Sequence, residues 1–266
     1  MPQTAPSRPE QLARRARAAM RKAADPRVAR SQRMFFKPWE KIHLLGIKTP
    51  DLRSIERELY QSVRKSWSYS DAAVFCDLLM RDHSMESKAL GLMLLARYHR
   101  EFPANLLDYT ERWLEADLCD NWAVTDHLCT QIISRILDQH EHQAVVVAKW
   151  RGSPNLWLRR ASLVSFVKPA GKGRHLETVY ETVSALLPDG HDLIHKAAGW
   201  LLREAGKAEA QRLETYLLAQ GPRIPRTTVR YAIERFPEIK RRKILEKTRV
   251  PRDAADISNR RGKSQK

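Results

Sequence analysis

The middle of the chain, residues 118–160, reads LCDNWAVTDHLCTQIISRILDQHEHQAVVVAKWRGSPNLWLRR. Its apolar residues recur at helical spacing, which predicts helices over residues 119–137, 141–150 and 155–167. Gly152-Ser153-Pro154 forms a short polar break between the last two of them. Helices that follow one another across such short breaks are typical of stacked helical hairpins.

The same pattern extends in both directions from this stretch. Thr49-Pro50 has the composition of a helix start, and Ser70 and Asp71 are suited to cap the helix that follows them. Residues 169–173, rich in Pro and Gly, are predicted to form a loop. Further helices are predicted over residues 9–20, 55–67, 70–81, 86–98, 104–116, 175–187, 192–204, 208–218, 227–235 and 237–247.

The helices predict an all-α fold, because runs with the period-two alternation of β-strands are absent from the sequence. Pairs of helices recur about every 35 to 45 residues, the range of HEAT-like helical hairpin repeats. A compact helical bundle without repeats is the alternative. We expect a single repeat domain over residues 31–250.

The net charge of the chain is +17, from 48 Lys and Arg against 31 Asp and Glu. Such an excess favours a polyanionic partner, since phosphate contacts release counterions; a charge that only keeps the protein soluble is the alternative. Residues 1–30 are expected to form a basic, partly mobile N-terminal arm, either on nucleic acid or as a solvated tail. The basic tail over residues 251–266 is expected to be disordered.

Several classes of protein are disfavoured by the sequence. No stretch has the roughly 18 consecutive apolar residues of a membrane span, so no membrane partner is expected. The three cysteines form no CxxC pair, which favours a reducing, cytoplasmic location near the nucleoid over a disulfide framework or a zinc ribbon. Phosphate-binding loops and metal-ligand spacings are also missing, so neither a metal nor a cofactor is expected.

Candidate site residues lie at both ends of the central stretch. Trp122 and Asp126 are one helical turn apart and share a face, while Arg159 and Arg160 point about 100° apart, so one of them at most serves the same site. A carboxylate beside an aromatic plate and a fixed cation is suited to hold a nucleic acid strand. The alternatives are that Trp122 belongs to the core and that Asp126 is a hydrogen-bonded surface acid. Trp157 is assigned to the core.

Six short sequence motifs follow one another along residues 44–237. They are Leu45-Gly46-Ile47-x-Thr49-Pro50-x-x-Arg53, Glu86-x-x-Ala89-Leu90, Trp122-x-x-x-Asp126, Trp150, Asn155-x-Trp157-Leu158-x-Arg160-Ala161 and Lys196-Ala197-x-Gly199-Trp200-x-x-Arg203-Glu204. This ordered set resembles the DNA alkylation repair (AlkD-like) DNA glycosylases. The resemblance implies a curved α-solenoid of HEAT-like repeats whose concave basic face holds duplex DNA.

The resemblance also implies roles for single residues. Asp126 corresponds to the catalytic carboxylate, Trp122 and Trp200 to tryptophans that line the cleft, and Arg160 to an arginine that holds phosphate. Further DNA-binding candidates are Lys196, Arg203 and Arg159.

The activity implied is that of a monomer that excises cationic bases, such as 3-methyladenine and 7-methylguanine, from duplex DNA without flipping them. A non-catalytic relative that binds branched or distorted DNA, and a helical protein scaffold, are the competing hypotheses.

Three positions depart from the family pattern. Asn121 stands where members often carry a second aromatic residue, and Thr125 stands where they tend to carry an apolar one. An N-terminal tyrosine that approaches DNA in the family has no direct match here. Phe35, Phe36 or Trp39 is expected to take its place, and these departures leave the preferred lesion open.

Overall fold

A computed structural model of the protein describes residues 8–38, 40 and 42–249. Regular structure over these residues is helical, apart from one isolated bridge between His43 and Ser84. The prediction of an all-α fold is confirmed. Within the same residues, every helix is too short or too polar to cross a lipid bilayer. The disorder predicted for residues 251–266 and the side chain of Trp39 lie outside the described residues.

The chain divides into two compact units, Met1–Ala161 and Ser162–Lys266, whereas the sequence predicts one domain over residues 31–250. The helices of the first unit are α1 (Pro9–Ala23), α2 (Pro26–Arg33), α3 (Thr49–Val63), α4 (Tyr69–Met80), α5 (Met85–Leu95), α6 (Leu106–Glu115), α7 (Trp122–Leu128), α8 (Ser134–Gln139) and α9 (Gln143–Lys149). Helix α10 (Leu156–Val164) begins in the first unit and ends in the second. The second unit continues with α11 (Val167–Gly171), α12 (Leu176–Leu186), α13 (Asp192–Ala208), α14 (Ala210–Gln220), α15 (Arg226–Ala232) and α16 (Glu238–Lys247).

The N-terminal helix α1 is packed into the first unit. The buried face of α1 consists of Leu12, Ala13, Ala16 and Met20. Arg17 of the same helix donates to both carboxylate oxygens of Asp82. Residues 9–23 therefore belong to the folded unit, which corrects the expectation of a separate, partly mobile arm for this part of residues 1–30.

Three helix ends differ from the sequence predictions. Helix α3 begins at Thr49, where Thr49-Pro50 predicts a helix start, and so extends six residues before the helix predicted over residues 55–67; Pro50 occupies its first turn, where no backbone N–H is needed. Ser68, rather than Ser70, caps α4 in a reciprocal pair with Asp71. The predicted loop over residues 169–173 is wrong in part, since Pro169 lies in the first turn of α11 and is compatible with it.

A buried carboxylate fixes the loop between α2 and α3. Glu86 of α5 accepts backbone N–H groups from Leu45, Gly46 and Ile47 at 3.0, 2.8 and 3.3 Å. Gly46 has a φ of +79°, and a Cβ at this position would lie 2.1 Å from the carbonyl oxygen of Asp25. The loop consequently requires glycine here, both for its backbone conformation and for the close approach of α2.

The three cysteines are buried in the first unit. Cys76 lies on α4, Cys119 lies just before α7, and Cys129 follows α7 directly. Burial raises the pKa of the Cys76 and Cys119 thiols above the ordinary value, and Cys119 is itself the second cause of the shift at Cys76. These two groups are therefore held as neutral thiols.

Candidate active site

The start of helix α7 is fixed by two layers of hydrogen bonds. Asn121 has an extended backbone, and its side-chain oxygen accepts the N–H of Val124 at 3.0 Å, so it is the N-cap. Its amide group donates to Asp120 at 3.1 Å. Behind this pair, the buried ammonium group of Lys88 on α5 donates to the same oxygen of Asp120 at 3.0 Å. The residue that departs from the family's aromatic pattern thus has a structural role as a helix cap.

Thr125, the second departure, also has a structural explanation. It is fully buried, and its hydroxyl donates to the carbonyl oxygen of Cys119 at 3.0 Å. This bond ties the second turn of α7 back to the chain before the helix. A threonine is compatible with the buried position because its hydroxyl is satisfied there.

A π-helical segment, Cys129–Ile133, follows α7 without a break. The sequence predicts one uninterrupted α-helix over residues 119–137, so this widening of the helix is a difference from the prediction. The hydroxyl of Thr130 donates to the carbonyl oxygen of Asp126 at 2.7 Å. Single π turns inside helices occur frequently beside functional side chains, because they change the direction in which neighbouring residues point.

Asp126 forms a two-pronged ion pair with Arg160 of α10. Nε of the guanidinium lies 2.8 Å from Oδ1, and Nη2 lies 2.8 Å from Oδ2. The side chain of Arg160 is 6% exposed and that of Asp126 is 16% exposed. Asp126 is therefore neither a surface acid nor sealed in the interior: its side chain is mostly buried, keeps a small exposed fraction, and has both carboxylate oxygens bonded to Arg160.

Two opposing effects act on the charge of Asp126. Burial raises the pKa of the carboxyl group and is the larger effect, whereas the charge and hydrogen bonds of Arg160 lower it. The pKa consequently lies above the ordinary aspartate value. Since a planar guanidinium donating two parallel bonds matches an ionised carboxylate, Arg160 is the group that opposes protonation of Asp126.

Trp122 packs against an aromatic residue from the N-terminal part of the chain. The ring centroids of Trp122 and Phe36 are 5.3 Å apart, with 31° between the ring planes. Trp122 is partly exposed, so it is not a core tryptophan, whereas Phe36 is 9% exposed and Phe35 is 76% exposed. Of the two described aromatic candidates from the sequence, Phe36 contacts Trp122.

The turn that carries Phe36 is held by one guanidinium group. Nη2 of Arg33 donates to the carbonyl oxygens of Lys37, Pro38 and Glu40 at 2.9, 3.0 and 2.8 Å. Three acceptors around one nitrogen fix the path of the chain directly after Phe36. No signal in the sequence distinguishes this arginine from the other basic residues of the N-terminal region.

The start of α10 positions the two arginines predicted for the site. The side-chain oxygen of Asn155 accepts the N–H groups of Trp157 and Leu158 at 2.8 and 3.2 Å. Arg159 donates to the carbonyl oxygens of Ser153 and Pro154 at 3.0 and 2.7 Å, so it braces the preceding turn. The assignment of Trp157 to the core is wrong, because its side chain is only half-buried; it lies in the first turn of the helix.

In the second unit, α13 carries the remaining predicted site residues. Trp200 is partly exposed, and the three residues before it are buried. Gly199 allows close packing of α15, since a Cβ there would lie 2.5 Å from Cβ of Tyr231 and 2.7 Å from the carbonyl oxygen of Thr228. This arrangement agrees with the tight packing expected from the small residues before Trp200.

The two predicted DNA-binding residues of α13 each contact a carboxylate. Nζ of Lys196 lies 2.7 Å from Asp192, one turn earlier on the same helix. Arg203 forms ion pairs with Glu204 and Glu234. Both residues keep part of their surface exposed, and their contacts with DNA, like that of Arg160 with a phosphate, stay predictions.

The described residues contain no group of three or more His, Cys, Asp or Glu side chains arranged to hold a metal ion. The parts of the site in the first unit are a half-buried carboxylate, the guanidinium that holds it, and two packed aromatic rings. Such a set can stabilise a positive charge that develops beside the carboxylate.

The chain is similar to known proteins of one family. The family model described as DNA alkylation repair enzyme matches residues 16–236. A solved structure from Enterococcus faecalis, described as a predicted DNA alkylation repair enzyme, has the same fold, with a TM-score of 0.71 and 14% sequence identity; the match covers 81% of this chain and 97% of that one. A comparison with curated proteins found no match. On the family match over most of its length, the chain belongs to the DNA alkylation repair enzyme family.

Proposed function

We propose that the protein is a DNA glycosylase that hydrolyses the N-glycosidic bond of positively charged N-alkylated purines in duplex DNA. Adducts of the 3-methyladenine and 7-methylguanine type are the proposed substrates. The observation that carries the proposal is the pair of Asp126 and Arg160, in which a desolvated carboxylate is held in a fixed direction one helical turn from Trp122. A protein that only bound DNA would gain nothing from an acid facing the phosphates.

The proposed chemistry needs one carboxylate and no general acid. An alkylated purine already carries a positive charge, so it leaves as a neutral base and takes the electron pair of the glycosidic bond with it. The deoxyribose then acquires oxocarbenium character. The carboxylate of Asp126 stabilises that cation and orients the water that attacks C1′, and the proton that this water loses passes to the carboxylate or to solvent.

The surroundings of Asp126 determine how strongly it acts. Charge interactions are stronger where water is excluded, so a carboxylate that is 16% exposed stabilises a nearby cation better than one in bulk water. The same burial favours protonation, which would abolish the effect. Arg160 prevents this by binding the ionised form, and we assign it as a positioning residue that maintains the charge and direction of Asp126.

The aromatic residues have a supporting role. The exposed part of Trp122 offers an indole face to a sugar that is becoming cationic, an attraction of about 0.5 to 2 kcal/mol depending on desolvation. Phe36 packs against the same indole and limits its rotation. Trp200 of the second unit is proposed to face the DNA backbone as well, and Lys196, Arg203 and Arg159 to contact its phosphates.

The test is base release from methylated duplex DNA by the wild-type protein and by Asp126→Asn. The matched control is Asp82→Asn, since Asp82 also forms a two-pronged pair with an arginine in the first unit. We expect the wild type and the Asp82 variant to release 7-methylguanine or 3-methyladenine and the Asp126 variant to lose at least about a hundredfold in rate. Absence of release by the wild type, or equal rates for the two variants, contradicts the proposal.

A non-catalytic protein that binds branched or distorted DNA is the second candidate. It is favoured by the pairing itself, since Arg160 offsets much of the negative charge of Asp126 and such a pair could be purely structural. This function predicts tight, salt-sensitive binding to a four-way junction and no base release from methylated duplex. The base-release assay therefore separates the two candidates.

A further inference from the structure

Three arginines meet where α15 and the end of α16 pack together in the second unit. Nη1 of Arg226, the first residue of α15, donates to the carbonyl oxygen of Leu245 at 2.7 Å and reaches the hydroxyl of Thr248 at 3.5 Å. Arg230 lies one helical turn further along α15. Arg249 comes directly after Thr248, whose hydroxyl is bonded to the last turn of α16. The side chains of all three arginines are exposed.

The described carboxylates leave this cluster without an ion pair. No carboxylate among residues 8–38, 40 and 42–249 forms an ion pair with any of Arg226, Arg230 and Arg249. The pKa of Arg226 lies below the ordinary arginine value, first through partial desolvation and then through the nearby positive charges of Arg230 and Arg249. Three guanidinium groups therefore repel one another at this end of the unit.

Several other cations of the same unit have acidic partners. Arg212 contacts Glu177 and Glu209, and Lys240 contacts Glu214 at 2.6 Å. Arg203, Lys207 and Arg242 are paired with Glu234, Glu204 and Glu238. Like charges at positions i and i+4 of a helix, as at Arg226 and Arg230, destabilise the helix. A cluster of exposed guanidinium groups that keeps this repulsion is suited to an external anion.

We propose that Arg226, Arg230 and Arg249 form a phosphate-binding site for the DNA backbone. The choice of DNA as the source of the phosphates rests on the proposed function. Planar guanidinium groups bind phosphate oxygens through two parallel hydrogen bonds, and a phosphate among the three would replace their mutual repulsion by attraction. The cluster includes Arg249, which lies beyond residues 16–236, the part of the chain matched by the family model.

The packing of α15 gives this site a fixed place relative to Trp200. Gly199, next to Trp200 on α13, lies directly under Thr228 and Tyr231 of α15. The hydroxyl of Thr228 also donates to the carbonyl oxygen of His195 on α13 at 3.0 Å. A phosphate bound by the cluster would consequently be held at a constant distance from Trp200, so the site contributes to the register of the duplex as well as to its affinity.

The test is the salt dependence of binding to an undamaged 20-base-pair duplex, followed by fluorescence anisotropy. The variant Arg230→Gln/Arg249→Gln removes two charges and leaves Arg226, which bridges the two helices, in place. The control Arg81→Gln/Arg112→Gln removes the same charge from exposed arginines of the first unit that already contact Asp77 and Tyr109. Far-ultraviolet circular dichroism checks that both variants are folded.

The cluster is proposed to hold one phosphate, so we expect the slope of log K against log salt to fall by up to about 0.9 in the cluster variant. The single variant Arg230→Gln should show a smaller decrease. Slopes that match those of the control variant overturn the proposal. Because the duplex is undamaged, this result does not depend on base release: a protein that releases no base but shows the decrease in slope would retain the phosphate site and lack the proposed glycosylase activity.

Discussion

Arg160 holds Asp126 through two hydrogen bonds of 2.8 Å, although 34 residues separate them in the chain. The pair links α7 to α10, so the direction of the carboxylate depends on the packing of two helices rather than on one. Each partner also keeps the other charged, since a buried ion without its partner is costly. Substitution of either residue should therefore change the charge balance and the direction of the carboxylate at this site.

Replacement of Arg160 by glutamine should destabilise the fold and abolish base release. The change leaves the carboxylate of Asp126 desolvated and without a cation, a loss of about 3 to 5 kcal/mol in the free energy of unfolding. Arg160→Lys keeps the charge but provides no planar fork, so we expect a smaller loss of stability and a strong loss of activity. Urea unfolding and base release measured on both variants check this, and a lysine variant with wild-type activity would contradict the positioning role.

Arg160→Ala also tests the predicted phosphate contact. If the guanidinium reaches a phosphate in addition to Asp126, the slope of log K against log salt should fall by about one unit. An unchanged slope would restrict Arg160 to its role within the protein. Binding of undamaged duplex, measured over the salt range in which the wild type remains bound, is sufficient for this comparison.

The pH dependence of base release should reflect the raised pKa of Asp126. Protonation removes the negative charge, so the rate should fall as the pH decreases through that pKa, and the midpoint should lie above the value of about 3.9 for a free aspartate. The measurement is the initial rate of base release from pH 4 to 8, corrected for release without protein. A midpoint at or below the value for free aspartate would contradict the prediction.

The same pKa has a consequence for stability. The folded state binds this proton more tightly than the unfolded chain does, so the contribution of Asp126 to stability is most favourable below the unfolded pKa. This contribution to stability is lost as the pH rises through the pKa that Asp126 has in the folded state. Asp126→Asn should flatten this part of the stability profile measured by urea unfolding, whereas Asp82→Asn should leave it in place.

Phe36→Leu should reduce base release while the protein stays folded. Leucine keeps most of the apolar volume but removes the ring that packs against Trp122. An aromatic pair contributes about 0.5 to 1.5 kcal/mol beyond the area it buries, which corresponds to a loss of roughly two- to twelvefold in kcat/KM if Trp122 must be held in place. Phe35→Leu, at an exposed position one residue earlier, is the control. Equal effects of the two changes would show that the contact with Trp122 is irrelevant to catalysis.

Asn121→Ala should affect both stability and activity, because the cap it removes belongs to the helix that carries Asp126. Loss of an N-cap costs about 0.5 to 2 kcal/mol. Ser68→Ala, at the cap of α4, should cost a similar amount without slowing base release. Chemical unfolding and single-turnover rates on the two variants separate the effects, and parallel losses of activity would mean that the cap acts only through global stability.

The sequence predicts the helical class and the placement of the site on one helix, since both depend on local spacing. Trp122 and Asp126 lie on α7 as their four-residue separation requires. The partner of Asp126 could not be derived in this way, because Asp126 has no basic residue one turn away and periodicity contains no distances between helices. The contact between Phe36 and Trp122 is likewise set by the course of a loop, which depends on the three carbonyl oxygens that Arg33 gathers.

Other differences between the sequence predictions and the structure have local causes that amino-acid composition does not reveal. The π segment Cys129–Ile133 adds a residue to one turn while the apolar periodicity stays close to that of an α-helix, so the sequence predicts a regular helix there. Pro169 favours a loop by composition, yet it is compatible with the first turn of a helix. Trp157 belongs to an apolar segment but starts its helix, where a large side chain is less enclosed.

The burial of the three cysteines bears on how the protein withstands the reagents that damage DNA. Methylating agents are electrophiles, and the thiolate is the form of cysteine that reacts with them. Cys76 and Cys119 are enclosed and kept protonated by their surroundings, and Cys119 and Cys129 flank the helix that carries Asp126. Burial and protonation therefore disfavour alkylation of Cys76 and Cys119, so the thiol just before this helix is shielded under the conditions that create the proposed substrates.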